Sequence, residues 1–204
     1  MHNDTFTLRE FDTLQAYTPI WEAMRDFTIK RTPDTPDEIW LMQHTPVFTQ
    51  GQAGKPEHIL KSSDIPVVPI DRGGQVTYHG PGQLMVYTLL DLRRRKLAVR
   101  CLVRNLERLI TDVMADFGIK AAGKMEAPGV YVGDAKLASI GLRVKRGCSY
   151  HGLALNVDMD LSPFQQINPC GFEGLPMTQV SELVPGIRFA ELQAKLTEHC
   201  QLIF

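Results

Sequence analysis

At 204 residues, 44% hydrophobic and 22% charged with a formal net charge of −1, the chain has the length and composition of one compact globular domain. Near-neutrality argues against a dedicated nucleic-acid binder, the polar start MHNDTFTLRE does not read as a signal peptide, and no apolar run approaches the ~18 residues that a membrane-spanning helix requires. A soluble cytoplasmic protein is expected, with its four separated cysteines (Cys101, Cys148, Cys170, Cys200) as free thiols.

The first helix is expected from Thr18 as N-cap and Pro19 at its first position to about Lys30, with Ile20, Met24 and Phe27, flanked by Trp21, as its apolar stripe. RTPDTPD breaks that pattern, and residues 38–44 read as a strand. Proline-bounded segments follow: PVFTQG, a glycine- and lysine-bearing loop through Ser63, and IPVVPID as a short buried strand. The clearest element is a second helix, in which Val99, Leu102, Val103, Leu106, Leu109, Ile110, Val113 and Phe117 recur at helical spacing before a stop at Gly118. Cys101 sits among those apolar residues and reads as a small core filler; Cys200, near the C-terminus, carries no chemical signal. A β-meander comes next: GVYV meets AKLASIGLRV through Gly133-Asp134, and Lys145-Arg146-Gly147 turns that strand into CSYHGLALNVD. The order of elements gives an α/β or α+β single domain, residues 1–204, on a mixed or antiparallel sheet flanked by helices.

Three segments carry chemical signal. Arg72-Gly73-Gly74-Gln75-Val76-Thr77-Tyr78-His79-Gly80-Pro81-Gly82-Gln83 holds four glycines in twelve residues, which leaves backbone amides uncovered for a ligand or oxyanion. It lacks the glycine-lysine-serine/threonine ending of a Walker loop. On the strand from Ala135, alternation puts Lys136 in phase with Ala138, Ile140, Leu142 and Val144. A lysine on an apolar face is partly desolvated, which favours its neutral form and suits it to proton transfer; a surface turn or a face-swapping bulge is the plainer alternative. On the neighbouring strand Ser149 and His151 share the phase of Leu153, Leu155 and Val157, with Gly152 and Ala154 leaving room between them. Asn168-Pro169-Cys170-Gly171 places a cysteine on a constrained turn away from any apolar stripe, which suits an exposed nucleophile. Its thiolate needs a nearby base or cation, and Lys136 and His79 are both candidates. Cys148 and His151 have no second ligand pair at familiar zinc spacing, so no metal is expected.

RGGQVTYHGPGQ, APGVYVGDAKLASIGLRVKRGCSYHGLALNV and NPCG, in that order, closely resemble the lipoyl(octanoyl) transferase family, and the likeness runs from about DEIWLMQHTPVFTQGQAG to Gly171, most of the chain. The resemblance implies a fold like the catalytic domain of biotin and lipoate protein ligases. It implies an octanoyl-acyl carrier protein as donor, the lysine of lipoyl domains as acceptor, and no cofactor. It also implies that Cys170 carries the acyl group as a thioester while Lys136 promotes the thiolate and shuttles protons. The acyl-binding segments would be Arg72 to His79, Ser139-Ile140-Gly141 and Gly152-Leu153-Ala154. An ATP-dependent lipoate or biotin ligase, and a noncatalytic lipoyl-domain binding module, are the alternatives. Arg93, Arg94, Arg95 and Lys96, continued by Arg100, Arg104 and Arg108 at four-residue spacing, form a basic stripe that would suit an acidic carrier protein or plain solvent equally.

Overall fold

A computed structural model describes residues 6–124 and 127–204. It begins with β1 (Phe6–Glu10), α1 (Tyr17–Lys30), β2 (Asp37–Met42), β3 (Val47–Gln50), β4 (Val67–Pro69), β5 (Val76–His79) and β6 (Gln83–Leu89). Helix α2 (Val99–Asp116) leads into β7 (Ala122–Gly123), β8 (Gly129–Val132), β9 (Ala135–Lys145) and β10 (Cys148–Asn156), followed by α3 (Val180–Leu183) and α4 (Phe189–Ile203). One seven-stranded sheet runs β1-β2-β6-β10-β9-β8-β7, parallel only at β1–β2, and a second sheet of three strands runs β4-β3-β5. This is the α+β arrangement with a mixed sheet that the order of elements implies.

Period-two alternation on the central strands divides the core. Leu84 and Val86 of β6, with Ile39 and Leu41 of β2, face α2 and α4, where Leu102, Leu106, Ile110, Leu192 and Leu196 are fully buried. Met85 and Tyr87, with Trp40 and Met42, face the other way onto Ile20 and Met24 of α1. Each such side chain contributes roughly 1.5–3 kcal/mol on burial, so both layers clamp the sheet from which the site is built.

Several local expectations need correction. Helix α1 starts at Tyr17, ahead of Thr18, with Ala16 at the cap position and no side-chain cap bond. The second strand ends at Met42, and His44 lies past it in an isolated bridge to Gln15. The IPVVPID segment is an edge strand rather than a buried one: Val67 is 41% exposed. Cys101 is exposed on α2, whereas Cys200 is fully buried between α2 and α4. Two members of the basic stripe, Arg94 and Arg95, also turn toward the interior. Asp37, 1% exposed, accepts from Arg31 and Arg95 and, at 2.6 Å, from Arg94, and it also caps the Asp91 amide. Such a charge is tolerated in the interior only because its partners are present.

Candidate active site

Cys170 lies on the 3-10 turn Pro169–Gly171 with φ +57°, a left-handed conformation that side-chain-bearing residues seldom adopt, and Gly171 follows at φ +82°. Strain of this kind persists where the surroundings impose it. Lys136 Nζ donates to Cys170 Sγ at 3.1 Å. The lysine is fully buried, its Nζ 5.4 Å from the centre of the Tyr131 ring.

Lys136 reaches that position by breaking the alternation its sequence suggests. Val130 pairs with Ala138 but its neighbour Tyr131 pairs with Lys136, so Leu137 is an extra residue on β9. Paired residues share a face, and successive residues of β8 do not, so Lys136 and Ala138 lie on opposite faces. Ala138 and Leu137 join the α2 core while Lys136 turns toward Cys170. Gly129 makes the room: a Cβ there would stand 2.6 Å from Lys136 Cε.

Two hollows meet at Cys170. A narrow cavity of about 50 Å³ is lined by Arg72, Gly73, Gly74, Gln75, Thr77 and His79, by Ser139, Ile140 and Gly141, and by Gly152, Leu153 and Ala154. Tyr17, Met85, Tyr87 and His151 complete it. Val76 and Tyr78 do not line it; they point into a separate core with Phe48 and Phe164, as alternation along β5 requires. On the far side, a groove of about 400 Å³ runs over Val99, Val103, Pro128, Lys136, Leu142 and Phe172 to the same cysteine. The glycines are space-makers. A Cβ on Gly141 would come within 2.8 Å of Arg72 Cδ, and one on Gly51 within 2.3 Å of Gly74 O. Arg72, 8% exposed, donates to Gly73 O at 2.9 Å and to Thr49 O at 2.7 Å, which fixes the glycine-rich segment over the cavity.

Beneath the cavity lies a polar layer that the sequence alone does not disclose. Asp71 accepts from Trp21 Nε1 (2.8 Å), His151 Nε2 (3.1 Å) and the Tyr150 hydroxyl. Tyr150 and His151, consecutive on β10, both reach it because His151 adopts φ +62°, which takes it out of phase with Leu153 and Leu155. Although partial burial works the other way, the Asp71 carboxyl is held well below the ordinary range by His151, Tyr150 and Trp21. His44 accepts from the Tyr87 hydroxyl at 2.7 Å and donates from Nδ1 to Gln15 O at 2.9 Å. Burial pushes His44 down to about 4 and lowers His79 and His151 too, so all three imidazoles are neutral near pH 7.

Above the unfolded value of ~6.5 both states hold these histidines neutral and nothing is gained or lost. Below it the unfolded chain takes up protons that the native imidazoles refuse, so stability falls as pH drops from ~6.5 toward 4. For His44 alone the loss at pH 5 is about 2 kcal/mol, with His79 and His151 adding in the same direction. Asp71 and Asp37 contribute in the opposite window, losing their stabilisation only below pH ~4. Urea midpoints at pH 7.5 and 5.0 will therefore differ strongly in the wild type and less in His44→Gln.

Residues 20–201 match the family described as the lipoyl protein ligase A/B catalytic domain. An octanoyltransferase of Hahella chejuensis (strain KCTC 2396) is 61% identical over 188 residues, 92% of this chain and 84% of the relative. Among solved structures, the bi-partite lipoate protein ligase with its E2 lipoyl domain from Thermoplasma acidophilum aligns with a TM-score of 0.75 at 14% identity, over 98% of this chain and 84% of the other. The biotin protein ligase of Aquifex aeolicus aligns at 0.56 and 11% identity, over 97% and 68%. Those two likenesses speak to the fold, which is the one the sequence resemblance implies, while the match across residues 20–201 and the 61% identity speak to descent: the chain belongs to the lipoyl protein ligase A/B catalytic-domain family and, within it, to the octanoyltransferases.

Proposed function

We propose that the chain takes an octanoyl group from acyl carrier protein onto Cys170 and passes it to the lysine ε-amine of a lipoyl domain, in lipoate biosynthesis. The observation that carries this reading is the 3.1 Å contact of a buried lysine with a strained cysteine where the two hollows meet. In the first half-reaction the Cys170 thiolate attacks the donor thioester; the new C–S bond forms as the old one breaks, and the Lys136 ammonium protonates the departing thiolate to a thiol. In the second, the acceptor amine attacks the Cys170 thioester, an amide forms, and Lys136 receives the amine proton as the thiolate leaves. The exchange of one thioester for another is nearly balanced and amide formation runs downhill, so no ATP is required. The narrow cavity is the slot assigned to the acyl chain, at ~0.8 kcal/mol per buried methylene, and its lining must part beyond the present volume of about 50 Å³ to receive it. The groove over Val99 and Val103 admits the donor arm and then the acceptor lysine, which predicts ping-pong kinetics. No helix among the described residues is long and apolar enough to cross a membrane, and the free thiols support a reducing, cytoplasmic setting.

Mixing the protein with octanoyl-acyl carrier protein is expected to give one hydroxylamine-labile octanoyl adduct, mapped to Cys170 by peptide mass spectrometry. ATP–pyrophosphate exchange dependent on free octanoate or lipoate, without that adduct, would instead make the chain a ligase.

The basic stripe yields a narrower prediction once Arg94 and Arg95 are removed from it by Asp37. Arg108 pairs with Asp112 at 3.1 Å, while Arg100 and Arg104 are exposed and make no ion pair among the described residues. They flank Val99 and Val103 at the groove. Reversing both to glutamate is expected to cut activity with octanoyl-acyl carrier protein by about tenfold and flatten its salt dependence. Activity with a small octanoyl thioester should survive, and equal loss on both donors would mean a damaged site.

A further inference from the structure

Strand β9 runs on past the end of β10. The last pair between them is Leu155 with Ala138, so the backbone of Lys136 lies beyond β10's reach. Residues 176–178 take over that place: Lys136 N–H donates to Pro176 O at 2.8 Å, and Thr178 N–H donates to Lys136 O at 3.0 Å. Among the described residues, one side chain of β10 bonds to that segment. Asn156, the final residue of β10 and 1% exposed, donates from Nδ2 to Thr178 O at 3.0 Å.

Asn156 is itself held in one orientation. Its Oδ1 accepts from Gln83 Nε2 at 2.9 Å, and Gln83 Oε1 accepts from His79 Nδ1 at 2.7 Å. With its proton on Nδ1, His79 accepts at Nε2 from the Thr49 hydroxyl (3.1 Å), whose oxygen accepts from Arg72 Nη2 at 2.9 Å. The chain begins at a guanidinium that can only donate and ends at a carbonyl that can only accept, so every amide and imidazole along it has a fixed sense. Each of these side chains is at most 8% exposed. A fully satisfied buried network of this kind specifies one arrangement.

We propose that Asn156 is a positioning residue for the acyl transfer: by tying residues 176–178, which pair with Lys136, to the end of β10 it holds the loop that carries Cys170 at reaction distance from Lys136 Nζ, with Gln83 and His79 fixing its amide. The inference rests on Cys170 and Lys136 being the reacting pair. Asn156 touches neither side chain. It acts through the backbone that brackets Lys136 on one side and continues back to Cys170 on the other, and a displacement near 1 Å at that pair is enough to cost on the order of 10²-fold in rate.

Asn156→Asp tests this with almost no change of shape. It keeps the acceptor facing Gln83 and turns the donor facing Thr178 O into a second acceptor. The rate of Cys170 alkylation by iodoacetamide against pH, in substrate-free enzyme and mapped by peptide mass spectrometry, is measured with kcat and KM for octanoyl transfer. The expected result is a kcat lower by on the order of 10²-fold, KM within about twofold, and an alkylation profile displaced toward that of Lys136→Ala. Added to Lys136→Ala, Asn156→Asp should change the profile no further. Gln83→Met, which removes the group that orients Asn156, should displace it the same way by less, and serves if Asn156→Asp does not fold. A lower melting temperature with a wild-type alkylation profile in both variants, or additive losses in the double variant, would overturn the proposal. The alkylation arm needs no acyl donor, so absence of an octanoyl adduct in the wild type would count against the acyl-transfer reading and leave the positioning result separately readable.

Discussion

Cys170→Ala is expected to abolish both the octanoyl adduct and net transfer, lowering turnover by more than ~10³-fold, while Cys101→Ala and Cys200→Ala leave both largely intact. The four thiols differ in what surrounds them. Cys200 is fully buried between α2 and α4, and burial pushes its thiol up to about 12. Cys148 is also raised, by burial and by Asp91 and Asp37. Cys101 is exposed on α2 and will meet any alkylating reagent, but it faces solvent rather than either hollow. Only Cys170 combines a left-handed backbone, a lysine nitrogen at 3.1 Å and access to both cavities. Because Cys101 is reachable, total thiol counts are a poor readout, and adducts must be mapped to a peptide. Octanoyl transfer at the wild-type rate by Cys170→Ala would remove the cysteine from the mechanism.

How much of this was legible in the sequence depends on how local each feature is. Helix α2 follows directly from its 3.6-residue apolar period, and the β9–β10 hairpin from Arg146-Gly147, whose φ values of +53° and +81° are those of a two-residue turn. The glycine-rich segment and the NPCG turn are contiguous, so their composition alone marks them. The bulge at Leu137 is different. Nothing in AKLASIG distinguishes it from a regular strand, because the extra residue is absorbed only when β8 pairs beside it. His151 in a left-handed conformation is equally invisible, since the side chain that rewards it is Asp71, eighty residues away. The polar layer of Tyr17, His44, Asp71, Tyr87 and His151 is assembled from α1, the segment after β2, the residue before Arg72, β6 and β10. Each of these looks in isolation like an ordinary polar or aromatic residue. Asn156 too ends a strand without any local mark, and its role appears only through Thr178 and Gln83. In the other direction, the exposure of Val67 and Val99 shows apolar pattern misread as core; Val99 lies open because it walls the groove.

Lys136→Ala is expected to slow thioester formation by on the order of 10²–10³-fold and to move the alkylation profile of Cys170 to higher pH. Lys136 is fully buried and, among the described residues, has no carboxylate within ion-pair distance; what faces its amine is the Cys170 sulfur and the Tyr131 ring. A charged lysine there stabilises the thiolate, and a neutral one can accept the proton of the attacking amine, so one group serves both halves of the reaction in turn. Lys136→Arg separates the two services. Guanidinium keeps the positive charge but cannot give up a proton at working pH, and it is bulkier and planar where Gly129 leaves space only for a slim chain. The arginine variant should therefore recover part of the thiolate stabilisation, seen as alkylation at lower pH than in Lys136→Ala, without recovering transfer. Full turnover in Lys136→Arg would assign the proton shuttle elsewhere, with His79 excluded as the substitute by its hydrogen bonds to Thr49 and Gln83, which occupy both ring nitrogens. An alkylation profile unchanged in Lys136→Ala would show that the 3.1 Å contact does not activate Cys170 at all.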